Sequence, residues 1–171
     1  YDVDKKEYWY DHCLIHGRDG SLVTENLDSG EFLEFDNPPI LDDGFIVEHI
    51  TADNIGDVQG RITPSFSWND SDMFLRNGFG FMVRSKEDGI FAAVAFSSAV
   101  SSEEVDIGVE TAETYRHHGL ASCLAYKMCE EIMRQGRRPV WAHAETNTGS
   151  QKTALSVGFK PIGINAVIHR D

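Results

Sequence analysis

Val105-Asp106-Ile107-Gly108-Val109-Glu110-Thr111 and, after four intervening residues, Arg116-His117-His118-Gly119-Leu120-Ala121 are the stretches that decide the fold. The first alternates apolar and polar residues, the signature of a half-buried strand. The second opens a long amphipathic helix, expected from about Gly119 to Gln135. Leu120, Leu124, Met128 and Ile132 recur every four residues on one side of it, and Gly136 is placed to end it. Val140-Trp141-Ala142-His143-Ala144 then reads as a further strand. Strand, helix and strand in that order make a crossover unit.

Working outward, Phe45 to Ile50 reads as a first strand, and Thr51-Ala52-Asp53 as the cap of a helix. Residues 70–77 suit a helix with Met73, Phe74 and Leu75 on its buried side. Phe79 to Val83 and Ile90 to Phe96 suit strands joined by a hairpin at Asp88-Gly89, and the polar run from Ser97 to Ser102 is expected to end the second. Downstream, a short helix is expected from Ser150 to Val157, closed by Gly158, with a last strand over 163–169. Hairpin strands followed by a crossover predict an α/β (α+β) domain over residues 45–171. Its central sheet is mixed and mostly antiparallel, with helices on both faces. Residues 1–44 read as an N-terminal extension or the remnant of a preceding domain. Glu31 to Phe35 alternates like a short strand, and Asp19-Gly20, Ser29-Gly30 and Asn37-Pro38-Pro39 mark turns. The chain opens on Tyr1 without a Met, as a piece of a longer protein would.

A length of 171 residues suits one domain, or one domain with an appended segment, and 41% hydrophobic with 25% charged residues is ordinary for a globular protein. No apolar run approaches the roughly 20 residues of a membrane span. The formal net charge is −13. Uniform acidity repels phosphate backbones, so nucleic acid is not the expected partner, whereas cationic amines are favoured. Cys13, Cys123 and Cys129 show no paired pattern and read as reduced thiols of a cytoplasmic protein. Cys123 and Cys129 lie on different faces of the expected helix and cannot share a metal, so no metal site is expected.

Arg116 to Ala121 lies where a strand gives way to a helix. Unpaired amides and the positive dipole end of a helix N-terminus suit a phosphate, Gly119 allows close approach, and Arg116 adds a fixed charge. Asn147-Thr148-Gly149-Ser150, Ala154 and Gly158-Phe159 follow downstream. With these two motifs in this order, the sequence resembles the GNAT superfamily of acetyltransferases. Their pyrophosphate loop reads Arg/Gln-x-x-Gly-x-Gly/Ala. Their second signature is Asn, a small residue three later, and a Gly-Phe that closes the helix. Ser67-Trp68, Phe74-Leu75, Gly78-Phe79-Gly80-Phe81, Tyr115-Arg116 and Pro139-Val140-Trp141 further resemble the zwittermicin A resistance-type subgroup. The resemblance covers about 44–162, with a weaker echo back to Leu33.

The resemblance implies acetyl-CoA as co-substrate, a splayed strand pair to hold it, and an amine acceptor. The acceptor is expected to be a small cationic antibiotic or metabolite. Backbone groups of Val109 and Thr111 would pair with the pantetheine arm, and amides of His117, His118, Gly119, Leu120, Ala121 and Ser122 would hold the pyrophosphate beside Arg116. Asn147 would bond the arm or a water, and Ser150 would cap the next helix or touch the cofactor. The amine must be neutral to attack, so a base is needed. Glu110, Asp106 and Glu104 share one face of their strand. Glu110 is the first choice, with His143 and Glu145 on the neighbouring strand as alternatives; the three β-strand carboxylates could equally be solvated or ion-paired structural residues, and a lone His in a strand is more often simply hydrogen-bonded. Many members of the family carry a Tyr that protonates the leaving thiolate. Here that position is Ala154, which leaves the general acid unassigned. A non-catalytic acyl-CoA-binding module and a protein or peptide acetyltransferase are the competing readings, and homodimerisation is left open.

Overall fold

In a computed structural model the described residues are 20–23, 38–144 and 146–163. Their strands are β1 (Gly20–Val23), β2 (Phe45–His49), β3 (Gly80–Ser85), β4 (Phe91–Val100), β5 (Glu104–Thr111), β6 (Arg138–His143) and β7 (Lys160–Gly163). The helices are α1 (Pro64–Ser67), α2 (Ser71–Asn77), α3 (Leu120–Arg134) and α4 (Thr148–Ser156). The strands form one sheet in the order β2-β3-β4-β5-β6-β1-β7. The β5–β6 pair is parallel and the other neighbours are antiparallel. The expected mixed, mostly antiparallel sheet is therefore present.

Alternation along β4 assigns its two faces. Ala93 and Ala95 face α3, where Leu120, Leu124, Ala125, Met128, Cys129 and Ile132 close the larger core with Phe159 and Trp141. Val94 and Phe96 face the other way, onto Phe74 of α2 and the partly buried Trp68 after α1. Small residues on one side let the long helix lie close; large ones on the other fill the space under two short helices. α3 ends as expected at Gly136, whose φ of 74° allows a Schellman turn. Gly136 N donates to Met133 O at 2.8 Å and Arg137 N to Ile132 O at 3.1 Å.

Four expectations differ from what is found. Thr51 and Asp53 cap no α-helix: Asn54 Oδ1 accepts from Thr51 N at 2.8 Å, and a single 3₁₀ turn at Ile55–Asp57 follows before the chain extends. The polar run does not end β4, which continues to Val100 because its serines are satisfied inside the sheet. Ser97 Oγ accepts from Phe79 N at 2.9 Å, and Ser98 Oγ donates to Asp106. Of the turn expected at Asp19-Gly20, Gly20 is instead the first residue of β1, which inserts between β6 and β7, and Asp19 lies outside the described residues. The last strand begins earlier than expected, at Lys160, and the strand expected over 31–35 lies outside the described residues.

The feature that shapes the site is a short ladder. β5 and β6 pair only at Glu104↔Arg138, Val105↔Pro139 and Asp106↔Val140. Beyond Asp106 they part. β6 turns to β1 for partners through His143, while β5 stays on β4 through Thr111. Gly108 helps hold β5 there. It lies directly across from Phe96, and a Cβ on it would stand 2.7 Å from Phe96 Cζ. Gly108→Ala is therefore expected to force the ring or the strand aside and to lower stability by about 1–3 kcal/mol. An unchanged urea midpoint would remove Gly108 from this role.

Candidate active site

The gap between the parted strands opens into a cleft of about 1140 Å³. β5 forms one edge. Ala112 N donates to Ala92 O at 2.9 Å, so the amides of Ala112, Glu110 and Gly108 turn toward β4. By alternation the N–H and C=O groups of Thr111 and Val109 turn into the gap. Among the described residues no other strand covers them there.

The loop after β5 forms the mouth. His117 and Gly119 both adopt left-handed backbone, with φ of 68° and 73°. Gly119 is the N-cap of α3 and supplies no side chain to it. The amides of Leu120, Ala121 and Ser122 have no partner among the described residues, and only Cys123 N reaches back to Gly119 O, at 3.1 Å. Space above Gly119 is open, with nothing within 4 Å of a Cβ built there. Arg116 lines the same cleft. The loop is held from behind by Phe45, whose ring meets Tyr115 edge-on at 5.8 Å and His118 at 5.6 Å. The His118 ring is thus on Phe45 and does not line the cleft.

Asn147 and Ser150 are used structurally. Asn147 Oδ1 accepts from Ser150 N at 3.1 Å, so Asn147, not Ser150, caps α4. Ser150 Oγ instead accepts from Trp141 Nε1 at 3.0 Å, tying the diverging end of β6 to α4. Both residues line the cleft. Ala154 is fully buried and packs in the larger core.

The carboxylates named from the sequence do not act alike. Glu104 pairs with Arg138, the residue across from it on β6. Asp106 sits at the apex, in the last pair before the strands part, and is 8% exposed. Burial pushes its carboxyl up to about 7, against the opposing hydrogen bonds from the Ser98 hydroxyl and the Ile107 backbone. Glu110 lies at the far end of the strand, near the mouth, and its Oε2 accepts from Ile62 N at 3.0 Å. His143 is on the other face of the sheet, the face of Trp141, α3 and α4. It is 8% exposed; Nδ1 is 3.0 Å from Ala144 O, and Nε2 is buried with no partner among the described residues. Donation from Nδ1–H to that carbonyl leaves Nε2 as the bare nitrogen. Asp106 and His143 therefore reach the same cleft from opposite faces. Glu145 lies outside the described residues. Among the described residues no group of His, Cys, Asp or Glu could hold a metal, and no helix is long and apolar enough to cross a membrane.

Sequence reasoning missed Ser98, taken as strand-ending polarity, and the wall formed by Arg61, Ile62, Phe66 and Ser67. The signal available for Ser98 was its apolar surroundings on a strand; the wall carries none.

A model of the GNAT acetyltransferase family matches residues 38–164. The chain belongs to this family. A curated relative, the uncharacterized N-acetyltransferase YdfB of Bacillus subtilis, is 32% identical over 95 residues, which are 56% of this chain and 36% of that protein. The chain thus matches about a third of that relative's length. Among solved structures, a GCN5-related N-acetyltransferase-like protein from Streptococcus suis superposes with a TM-score of 0.67 at 21% identity, over 85% of this chain and 57% of that one. A GNAT family acetyltransferase from Elizabethkingia anophelis with acetyl-CoA bound gives 0.53 at 14%, over 71% and 80%. At these identities the likeness is one of fold.

The buried Asp106 makes stability depend on pH. Its folded-state pKa lies above that of the unfolded chain, so the folded protein holds the extra proton between about pH 4 and about 7. The stabilisation is complete below about pH 4 and is lost as pH rises through about 7, at up to roughly 1.4 kcal/mol per unit. Asp106→Asn removes this titration. The variant is expected to gain on the parent from pH 4.5 to pH 8 in urea midpoints; parallel pH profiles would show that Asp106 is ionised and solvated throughout.

Proposed function

We propose that this chain moves the acetyl group of acetyl-CoA to a primary amine by direct attack. The observation that supports this most is the bare N-terminus of α3, with its open Gly119, at the mouth of a gap edged by the unpaired Val109 and Thr111 backbone. The amides and dipole suit the pyrophosphate, with Arg116 as a fixed countercharge. The pantetheine arm would run from that mouth along β5, adding itself as a strand. This direction brings the thioester toward the apex.

The proton acceptor is then better placed at Asp106 than at Glu110. A carboxyl that titrates near 7 is matched to the task, because it is both ionised in part and basic enough to take a proton. The neutral nitrogen attacks the thioester carbon, the carbon–sulfur bond breaks, and the proton passes from nitrogen to Asp106. A gap-facing β5 amide would carry the charge developing on the carbonyl oxygen. His143 Nε2, on the opposite wall, is proposed to accept a hydrogen bond from a water that carries the proton taken by Asp106 back to the departing thiolate, so that no side chain at the Ala154 position is needed as acid.

The net charge of −13 and the resemblance to the zwittermicin A resistance-type subgroup favour a small cationic acceptor, an antibiotic or a metabolite, in the cytoplasm. CoA release with spermidine, lysine, kanamycin and a short peptide as acceptors tests this. Turnover of the peptide alone would make the chain a peptide acetyltransferase. Acetyl-CoA binding without any turnover would make it a non-catalytic module.

Saturating acetyl-CoA should raise the melting temperature, as any ligand of the native state alone does. Gly119→Asp should weaken its binding well beyond Gly119→Asn. Both side chains tolerate the left-handed backbone, so the difference isolates the charge facing the pyrophosphate. Equal affinities would move the phosphate site elsewhere. Asp106→Asn should lower kcat/KM by on the order of 10² to 10⁴-fold with acetyl-CoA affinity retained. Full activity with an unchanged pH profile would exclude Asp106 as the base.

A further inference from the structure

Glu110 lines the cleft and reaches across to a segment 48 residues earlier in sequence, where its Oε2 accepts from Ile62 N at 3.0 Å. Two residues before Ile62, Gly60 has a φ of 121° and comes so near that a Cβ on it would stand 2.5 Å from Glu110 Cγ. Arg61 and Ile62 line the cleft with Phe66 and Ser67 of α1. This stretch is therefore the wall that faces the Asp106 side of the sheet. Among the described residues it has no sheet partner. The backbone hydrogen bonds at its ends are local, Val58 N to Ile55 O at 3.3 Å and Phe66 N to Thr63 O at 2.9 Å, while flanking side chains tie it to the sheet, Arg84 donating to Asp57 at 2.6 Å and Trp68 Nε1 to Ser97 O at 2.8 Å; between those ties Glu110 holds Ile62. Ile62 is partly buried against the smaller core, so the hydrogen bond to Glu110 is partly shielded from water.

We infer that Glu110 is a positioning residue, a latch that seats the Gly60–Ser67 wall against the acceptor half of the cleft and so sets which amines fit. This rests on the transferase reading of the same cleft. The latch needs an acceptor oxygen at the end of a three-bond side chain and does not need a charge. Gly60 is required because a side chain there would push Glu110 off Ile62 N, and its backbone conformation is strained for any other residue.

The consequence separates a latch from a base. Glu110→Gln retains an oxygen for Ile62 N–H and should keep kcat/KM within about threefold of the parent. Glu110→Ala should raise KM for the best acceptor among spermidine, lysine, kanamycin and the short peptide by tenfold or more, with saturated kcat and acetyl-CoA affinity near the parent's. Gly60→Ala should behave like Glu110→Ala, and the two together should cost no more than either. Hydrogen exchange reads the wall without any acceptor. The Ile62 amide should lose protection in Glu110→Ala and keep it in Glu110→Gln. Glu110→Gln as inactive as Glu110→Ala, or Ile62 protection unchanged in Glu110→Ala, would overturn the inference. Loss of turnover in every protein, parent included, would count against the transferase reading and leave the exchange measurement to decide the latch.

Discussion

Everything at the candidate site follows from the parting of β5 and β6 after Asp106. Two parallel strands that begin in register would ordinarily continue, because each unpaired backbone group left behind costs free energy when water is excluded. Here each strand is pulled its own way by side chains. β5 is held to β4, with the Phe96 ring over Gly108. β6 is drawn off by Trp141, which hydrogen-bonds Ser150 of α4 and packs against Phe159 at 5.6 Å between ring centroids. The resulting gap presents backbone donors and acceptors in a row, a surface fitted to an extended ligand that carries amides.

The same parting explains why the site has two unlike walls. A sheet that stayed closed would separate Asp106 from His143 by its full thickness. Opening it lets side chains of opposite faces look into one space. On the side of α1 that space holds a buried carboxyl bonded to Ser98; on the side of α4 it holds a buried imidazole with a bare nitrogen. A buried carboxyl and an unsatisfied ring nitrogen are both costly to a fold. Their presence on one cleft is the kind of local conflict that marks chemistry more often than architecture.

The sheet and α3 were legible from the chain because they rest on local periodicity. Leu120 to Ile132 and the alternation from Val105 to Thr111 carry their own evidence, and Gly136 and Gly158 announce two helix ends. The turn from Arg116 into α3 was legible for the same reason: a strand-to-helix turn with glycine at its N-cap is built from consecutive residues. What stayed hidden depends on contacts distant in sequence. Ser98 looked like the end of a strand because its partner is Asp106, across a ladder with an irregularity between Ser97 and Ala99. β1 is four residues of mixed character whose pairing is to residues more than a hundred positions away. No pattern around Gly60 announces that it must approach Glu110.

Glu110 shows why alternation alone misassigns roles. Even-numbered residues of β5 do share a face, and from that fact three carboxylates are candidate bases, with Glu110 the first choice. The face is not uniform. At its start Glu104 lies beside Arg138; at its middle Gly108 gives way to a ring; at its end Glu110 meets a passing peptide. Only Asp106 is both buried and at the point where the strands part. Burial is what raises its proton affinity, and the parting is what lets that carboxyl line the cleft. Glu110, half-buried at the mouth beside a backbone donor, has neither that depth of burial nor that place, whatever its spacing. The location of the most basic carboxyl in this cleft is thus set by the same divergence of strands that opens the cleft.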